Sequence, residues 1–302
     1  MPEALYIRRL AVLGVGLIGG SLARALRRAG ACGHVVGCGR RREHLQRAVA
    51  LGVIDEGVED PARAVQGADM VVVAVPLGAM AGILARIAPQ LAADAVVTDA
   101  GSAKVAVIEA ARQALGPHFR RFVPGHPIAG TEHSGVEASF AELFQGHRVI
   151  LTPVPETERE ATARVAALWR ACGAQVVEMD AARHDRLLAA TSHLPHLLAY
   201  TLVDSLAAMD DRADLFQYAA GGFRDFTRIA SSDPVMWRDI CLANREAILA
   251  MLDRYTHDLQ ALRAAVAAGD GDALLELFAR AKAARDQAVQ ESGSAPATPE
   301  RS

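Results

Sequence analysis

Residues 10–19, LAVLGVGLIG, constrain the fold of this chain more than any other stretch. An apolar run that reads as a strand meets Gly14, Gly16 and Gly19 in the order G-x-G-x-x-G. A segment of helical period, GGSLARALRRAG, follows at 19–30, and a second β-rich run, HVVGCG, arrives at 34–39. Glycines so ordered permit a tight turn and bring backbone N–H groups close to a pyrophosphate at a helix N-terminus. The triplet alone is common in turns. Between a strand and a helix, with a second strand at the proper distance, it specifies a dinucleotide site. The expected cofactor contacts here are Gly14, Gly16, Leu17, Ile18 and Gly19.

The end of the second strand bears on which dinucleotide is used. An acid there would bond the adenosine ribose 2′-hydroxyl of NAD. This strand ends GCGRRRE, with Gly39 in the acid's place and Arg40, Arg41 and Arg42 behind it. A guanidinium can hold a 2′-phosphate bidentately, and no carboxylate is present to repel it. Gly39, Arg40 and Arg41 therefore favour NADP over NAD, with dual use open; the bland reading is a helix N-terminus with solvated arginines.

Beyond this unit the pattern continues. A helix is expected over 41–52, a strand buried on both faces at 69–76, and strands at 95–101 and 147–153. A helix at 157–172 and a strand at 174–180 complete the series. Strands alternating with helices mean a doubly wound parallel sheet, an α/β fold. After residue 180 the β signal stops. Helices are expected at 181–209, at 234–266 and after the turn AAGDGD to about 289. The division is thus a nucleotide-binding domain at 1–180, a helical domain at 181–290 and a tail of disordered composition at 291–302.

Composition fits two ordinary domains and narrows the partners. Of 302 residues 51% are hydrophobic, and the net charge of −3 gives no electrostatic case for nucleic acid or an anionic membrane. The uncharged stretch 70–85 holds Pro76 and Gly78 at its middle, so it reads as a strand turning into a helix, not a membrane span. No signal peptide is visible, and Cys32, Cys38, Cys172 and Cys241 are too scattered for a CxxC. A cytoplasmic protein with reduced thiols is expected.

A nicotinamide enzyme that oxidises an alcohol needs a proton acceptor, and neutral imidazole suits that task. His126, in VPGHPIAGTEHSG (123–135), follows the strand end RRFVPG, on the side of the sheet where ligands collect. It is either a base or a loop histidine satisfied by solvent. TDAGSAK (98–104) offers Ser102 and Lys104, suited to a helix cap or to a substrate contact. In ATSHLPHLLAY (190–200) His193 and His196 lie three apart, but no suitably spaced carboxylate joins them, so no metal is expected. GGFRDFTRIASSDPVMWRD (221–239) gathers Arg224, Arg228 and Arg238, either a carboxylate clamp or an ion-paired turn.

GVGLIGGS, DAGSAK, GHPIAGTEHSG, ATSHLPH and GGFRDFTRIASSDPVMWRDI occur in that order. With them the chain resembles the prephenate/arogenate (cyclohexadienyl) dehydrogenases of tyrosine biosynthesis, from about residue 8 to residue 285. The resemblance implies a Rossmann-type sheet domain followed by an all-helical domain through which two copies dimerise. It implies oxidative decarboxylation of prephenate, or of arogenate, with hydride passing to NAD(P) and no metal. It also makes His126 the catalytic base and Ser102 the group that orients the imidazole or the substrate hydroxyl. Arg228 would bind a substrate carboxylate. His196 and Ser192 would line the pocket, with Thr131, Glu132 and Trp237.

Two departures qualify the resemblance. Gly39 and Arg40 replace the acid of NAD-using relatives, and neither a regulatory ACT domain nor a chorismate mutase segment is expected, so tyrosine would inhibit by competition. A hydroxy-acid dehydrogenase on the same plan would place a lysine base in the second domain, but no lysine lies between Lys104 and Lys282. A redox-inactive nucleotide-binding regulator would lack the base and the clamp.

Overall fold

The computed structural model describes residues 5–131, 133–210 and 212–293. The first strand, β1 (Ile7–Leu13), leads through the glycine turn into α1 (Leu17–Arg28) and β2 (Cys32–Cys38). Next come α2 (Arg42–Ala50), β3 (Glu56–Val58), α3 (Pro61–Ala64) and β4 (Met70–Val73). Helix α4 (Leu77–Ile87), β5 (Val96–Asp99), α5 (Lys104–Ala114) and β6 (Phe122–Val123) complete one sheet. Its order is β3-β2-β1-β4-β5-β6, with every pairing parallel. The order reverses between β1 and β4, which leaves a crevice at their carboxyl ends.

Helices cover both faces of this sheet, so its central strands are apolar throughout. All four residues of β4 are buried. Leu10, Val12, Met70, Val72 and Val96 pack with Leu22 and Leu26 of α1 in one core. Their neighbours Ala11, Leu13, Val71, Val73 and Val97 turn to the other face, against Met80 and Leu84 of α4 and Val107 of α5. Burying an aliphatic side chain of this size is worth about 1.5–3 kcal/mol.

The strand expected at 147–153 belongs to a different sheet. β7 (Gly125–Pro127) pairs antiparallel with β8 (Arg148–Leu151), which pairs parallel with β9 (Gln175–Glu178) after α6 (Arg159–Ala171). His126 is therefore in a strand, opposite Ile150. A three-residue strand bounded by Pro124 and containing Pro127 offers no alternation to read; as an edge strand it tolerates the proline.

The helical segments are also more broken than their periodicity suggests. Helix α7 (Ala181–Leu188) passes through a π-turn at Ala189–His193 into α8 (Leu194–Ala207). Pro195 near the start of α8 lacks an N–H and crowds the carbonyl four residues back, which a wider turn relieves. Short helices α9 (Arg212–Gln217) and α10 (Gly221–Thr227) precede α11 (Pro234–Ala243), capped by Asp233, whose side chain accepts from Val235 and Met236. Asn244 then interrupts the helix expected over 234–266, and α12 (Arg245–Ala268) begins anew.

The chain divides into compact units at Met1–Arg245 and Glu246–Ser302. In the second, α12 turns at Gly269 (φ 65°) into α13 (Gly271–Gly293), and Leu259, Val266, Leu275 and Phe278 are exposed. Residues 291–293, the start of the expected tail, are helical; the rest of that tail lies outside the described residues. Among the described residues no helix is long and apolar enough to cross a membrane.

Candidate active site

The glycine turn is built without side chains. Gly14 has φ of 99°, and a Cβ there would stand 2.2 Å from the carbonyl oxygen of Ala74. A Cβ on Gly19 would stand 2.2 Å from the carbonyl oxygen of Gly14, so the helix packs on the turn itself. Gly16 is different: a Cβ there meets nothing within 4 Å. It precedes α1 with no side-chain cap and no acid in the first turn, so no side chain at the N-cap takes up the amides that open the helix. These residues fit a dinucleotide pyrophosphate, with one glycine for the turn, one for ligand approach and one for packing. At the end of β2, Gly39 is half-buried, while Arg40 and Arg41 are exposed, their side chains without a hydrogen bond or ion pair among the described residues.

Beside this crevice lies a buried polar cluster. Lys104, at the start of α5, and Asp99, at the end of β5, are fully buried and paired at 2.5 Å. Lys104 Nζ also donates to the carbonyl of Gly125 at 2.7 Å. Asp99 accepts from the amides of Gly101 (2.7 Å) and Gly125 (3.1 Å). Burial pushes the Lys104 amine down, against the pull of Asp99. The pair fixes the peptide on which the next residue, His126, is carried.

His126 is 9% exposed, and its Nδ1 lies 2.9 Å from Nε2 of His184. Nδ1 of His184 lies 2.8 Å from Oδ1 of Asp185. Asp185 also accepts from the amides of Lys104 (2.7 Å) and Val105 (2.9 Å), capping α5 from another part of the chain. Burial pushes the Asp185 carboxyl up, but its bonds from His184 and these amides prevail and hold it below the usual value. Burial first, then His184, Lys104 and His193, hold His126 well below 6.5, so its imidazole is neutral. Its Nε2 has no hydrogen-bond partner among the described residues. A buried neutral imidazole with one nitrogen engaged and one available is a general base in waiting.

The helical segments supply the opposite wall. His196 stacks on Trp237 with ring centroids 3.8 Å apart, and its Nδ1 donates to the carbonyl of Ser192 at 2.9 Å. Burial and the Arg228 charge lower His196, although the Ser192 carbonyl opposes them, so Arg228 lies within electrostatic reach of that ring. Burial lowers His193 to about 4. Its Nδ1 accepts from the side chain of Asn244 at 3.1 Å, and the same Nδ2 donates to the carbonyl of Asp185 at 2.8 Å. Nε2 of His193 and Nε1 of Trp237 are buried with no partner among the described residues, two N–H groups that a polar ligand would satisfy. A second carboxylate, Asp239, accepts from the amide of Gly78 at the start of α4 (3.1 Å), so the helical layer grips two helices of the sheet by their N-termini.

The residues singled out by sequence fall into three groups. His126, His196, Trp237, Ser192 and Arg228 form or border this cluster. Ser102 is half-buried in the β5–α5 turn but is not bonded to His126 among the described residues; the partner holding that imidazole is His184. Thr131 is exposed and, among the described residues, bonded to the backbone of His133, while Glu132 lies outside the described residues. Among the described residues no group of three or more His, Cys, Asp or Glu side chains is placed to hold a metal ion. His184, Asp185 and Asn244 escaped the sequence reading. A signal was available: in AARHDRLL, His184, Asp185 and Leu188 share the buried face of a helix where apolar residues are expected.

Two family models match the chain: prephenate dehydrogenase, nucleotide-binding domain, over residues 22–178, and prephenate dehydrogenase, dimerization domain, over residues 180–280. A cyclohexadienyl dehydrogenase of Zymomonas mobilis is 43% identical over 92% of this chain and 95% of its own length. A prephenate dehydrogenase of Bacillus subtilis is 36% identical over 94% of this chain and 77% of its own. The solved structure of A. aeolicus prephenate dehydrogenase, in complex with hydroxyphenyl propionate and NAD+, is similar with a TM-score of 0.88. It is 38% identical and covers 94% of this chain and 99% of that one.

Proposed function

Because the chain belongs to the prephenate dehydrogenase family, we propose that it oxidises and decarboxylates prephenate to 4-hydroxyphenylpyruvate in tyrosine biosynthesis. The chain is a nicotinamide-dependent oxidoreductase of this family; the bound nicotinamide supplies the acceptor for the hydride that leaves the carbinol carbon. His126 accepts the hydroxyl proton at Nε2. Ser102, in the neighbouring turn, hydrogen-bonds that hydroxyl. Arg228 holds the side-chain carboxylate, since a tight grip on the departing one would stabilise the ground state against loss of CO2. His196, Ser192, Thr131, Glu132 and Trp237 line the pocket. Aromatisation of the ring drives the decarboxylation, so no metal is needed.

The observation that carries this reading is the buried, neutral His126 with Nδ1 engaged and Nε2 available. His126→Asn should lower kcat at least about a hundredfold, with KM little changed. A near-normal kcat would remove His126 as the base. Since its pKa is depressed, the base form persists on acidification, and the acid limb of kcat/KM should lie below pH 6.5.

A second reading has a specific support: the Zymomonas mobilis relative is named a cyclohexadienyl dehydrogenase. On that reading arogenate is also accepted and gives tyrosine directly. Purified enzyme assayed with each substrate against NAD and NADP separates the readings. We favour NADP on the free Arg40 and Arg41 beside Gly39. Tyrosine should inhibit by competition, because a product-like phenol, hydroxyphenyl propionate, is bound in the A. aeolicus relative. We assign residues 1–180 to cofactor binding and 181–290 to substrate binding and homodimer formation. The exposed apolar side chains of α12 and α13 support the dimer. The four free cysteines support a cytoplasmic setting.

A further inference from the structure

We infer that His184 and Asp185 are positioning residues for the base: they fix His126 as the Nδ1–H tautomer and draw away the charge it acquires. This rests on His126 being the base. Asp185 is an acceptor only, taking hydrogen bonds from the amides of Lys104 and Val105. Its 2.8 Å contact with Nδ1 of His184 therefore requires that nitrogen to carry the hydrogen. In the resting pair Nε2 of His184 is then the lone pair, so the 2.9 Å contact with His126 is a hydrogen bond only if His126 donates through Nδ1. One nitrogen of His126 is thereby left as an acceptor, and it is Nε2, the atom with no partner among the described residues. An aspartate fixes the base of a serine protease by the same logic, here extended through one more imidazole.

The relay also settles where the charge goes. When the substrate hydroxyl gives its proton to Nε2 of His126, the Nδ1 proton can shift 2.9 Å along the bond to Nε2 of His184. No proton is gained or lost in that shift; His126 ends as the Nε2–H tautomer and His184 as the cation. Around His126 stand Lys104 of α5 and His193 of the π-turn, both opposed to a positive charge there, with the Lys104 charge itself matched by Asp99; His193 opposes a charge on His184 as well. Beside His184 stands the carboxylate of Asp185. Asn244 holds the Asp185 carbonyl and the His193 ring together, so the break between α11 and α12 braces the relay.

The test uses full-length enzyme carrying 15N-labelled histidine, without cofactor. In the wild type His126 should give the Nδ1–H signature. In His184→Phe, which cannot accept, it should move toward Nε2–H; in His184→Asn, whose amide oxygen accepts but takes no proton, Nδ1–H should persist. For kcat, His184→Phe should fall about a hundredfold or more and His184→Asn about tenfold, with KM for prephenate within about threefold. His126→Asn combined with His184→Phe should be no slower than His126→Asn alone, since the relay acts only through the base. An unchanged tautomer or a near-normal kcat in His184→Phe overturns the inference, as do losses that multiply in the double variant. Should His184→Phe not fold, His184→Asn decides, and a kcat within about threefold of wild type overturns the charge relay. A fully active His126→Asn would instead remove the base while leaving the tautomer result to stand by itself.

Discussion

The glycine turn and the histidine cluster lie at the same carboxyl edge of one sheet, yet they are made in opposite ways. The turn is six consecutive residues, 14–19, and offers a ligand backbone amides and empty space. The cluster is built on side chains, bonded to one another and to nearby backbone, from β5, α5, β7, α7, the π-turn and the α11–α12 break, running from Asp99 to Asn244. In the first, function depends on side chains being absent. In the second, the buried charges Asp99, Lys104 and Asp185 are tolerable in the interior because groups from other segments satisfy them. A substitution should therefore damage the cofactor site locally and the catalytic cluster globally.

The largest expected effect follows from that contrast. Lys104→Met would leave the fully buried Asp99 without its counter-charge, and breaking such a pair costs about 3–5 kcal/mol. Urea unfolding should show that loss, and adding Asp99→Asn should recover part of it. A stable single variant would mean that the amides of Gly101 and Gly125 suffice for the carboxylate, and the cluster would then be as local as the turn.

Arg228→Ala probes the outer, solvent-facing part of the same wall. Arg228 is exposed, so stability should hardly change. Loss of a charged carboxylate contact is worth about 1.5–3 kcal/mol, which corresponds to about a ten- to hundredfold rise in KM for prephenate. An unchanged KM would assign the carboxylate to another residue, with the orphan N–H groups of Trp237 and His193 as the next candidates.

The same contrast explains what sequence could reveal. Gly14, Gly16 and Gly19 were legible because their spacing and their structural context are both local. The parallel sheet was legible because β4 and its neighbours are continuous apolar runs. His126 was legible as a candidate from its awkward Gly-His-Pro setting and from the family resemblance, but its strand was not, since β7 is three residues long. His184 and Asp185 were hidden for a different reason. Their partners are His126 and the first turn of α5, 58 and 81 residues distant for the bonds to His126 and Lys104, and only the folded chain brings these together. Likewise nothing local in 234–266 announces that Asn244 ends one helix to reach Asp185 and His193. The resemblance implies that Ser102 orients either the imidazole or the substrate hydroxyl; the structure places His184 at Nδ1 of His126, which leaves the substrate hydroxyl as the proposed partner of Ser102.

Within the glycine turn the three positions should separate cleanly. Gly16→Ala meets no protein atom within 4 Å and sits at an ordinary extended φ of −101°, so the fold should be indifferent. Its methyl group would project toward the pyrophosphate, and KM for either cofactor should rise about tenfold at unchanged Tm. Gly14→Ala should behave oppositely and destabilise the protein, because φ of 99° and a 2.2 Å approach to Ala74 strain any Cβ. A Gly16→Ala enzyme with normal cofactor affinity would place the pyrophosphate elsewhere.

The smallest effect is expected at the far end of the cofactor, where Arg40 stands exposed behind Gly39. A solvent-screened guanidinium–phosphate contact is worth about 0.3–1 kcal/mol, so Arg40→Ala should raise KM for NADP about two- to fivefold. NAD carries a hydroxyl at that position and gives the guanidinium no charge to hold, so its KM should stay constant. The same measurement at raised salt should shrink the NADP effect further, as screening acts on an exposed pair far more than on the buried Lys104–Asp99 pair. Equal changes for the two cofactors would make Arg40 and Arg41 solvated residues at the start of α2, and the missing acid at Gly39 would then permit NADP without selecting it.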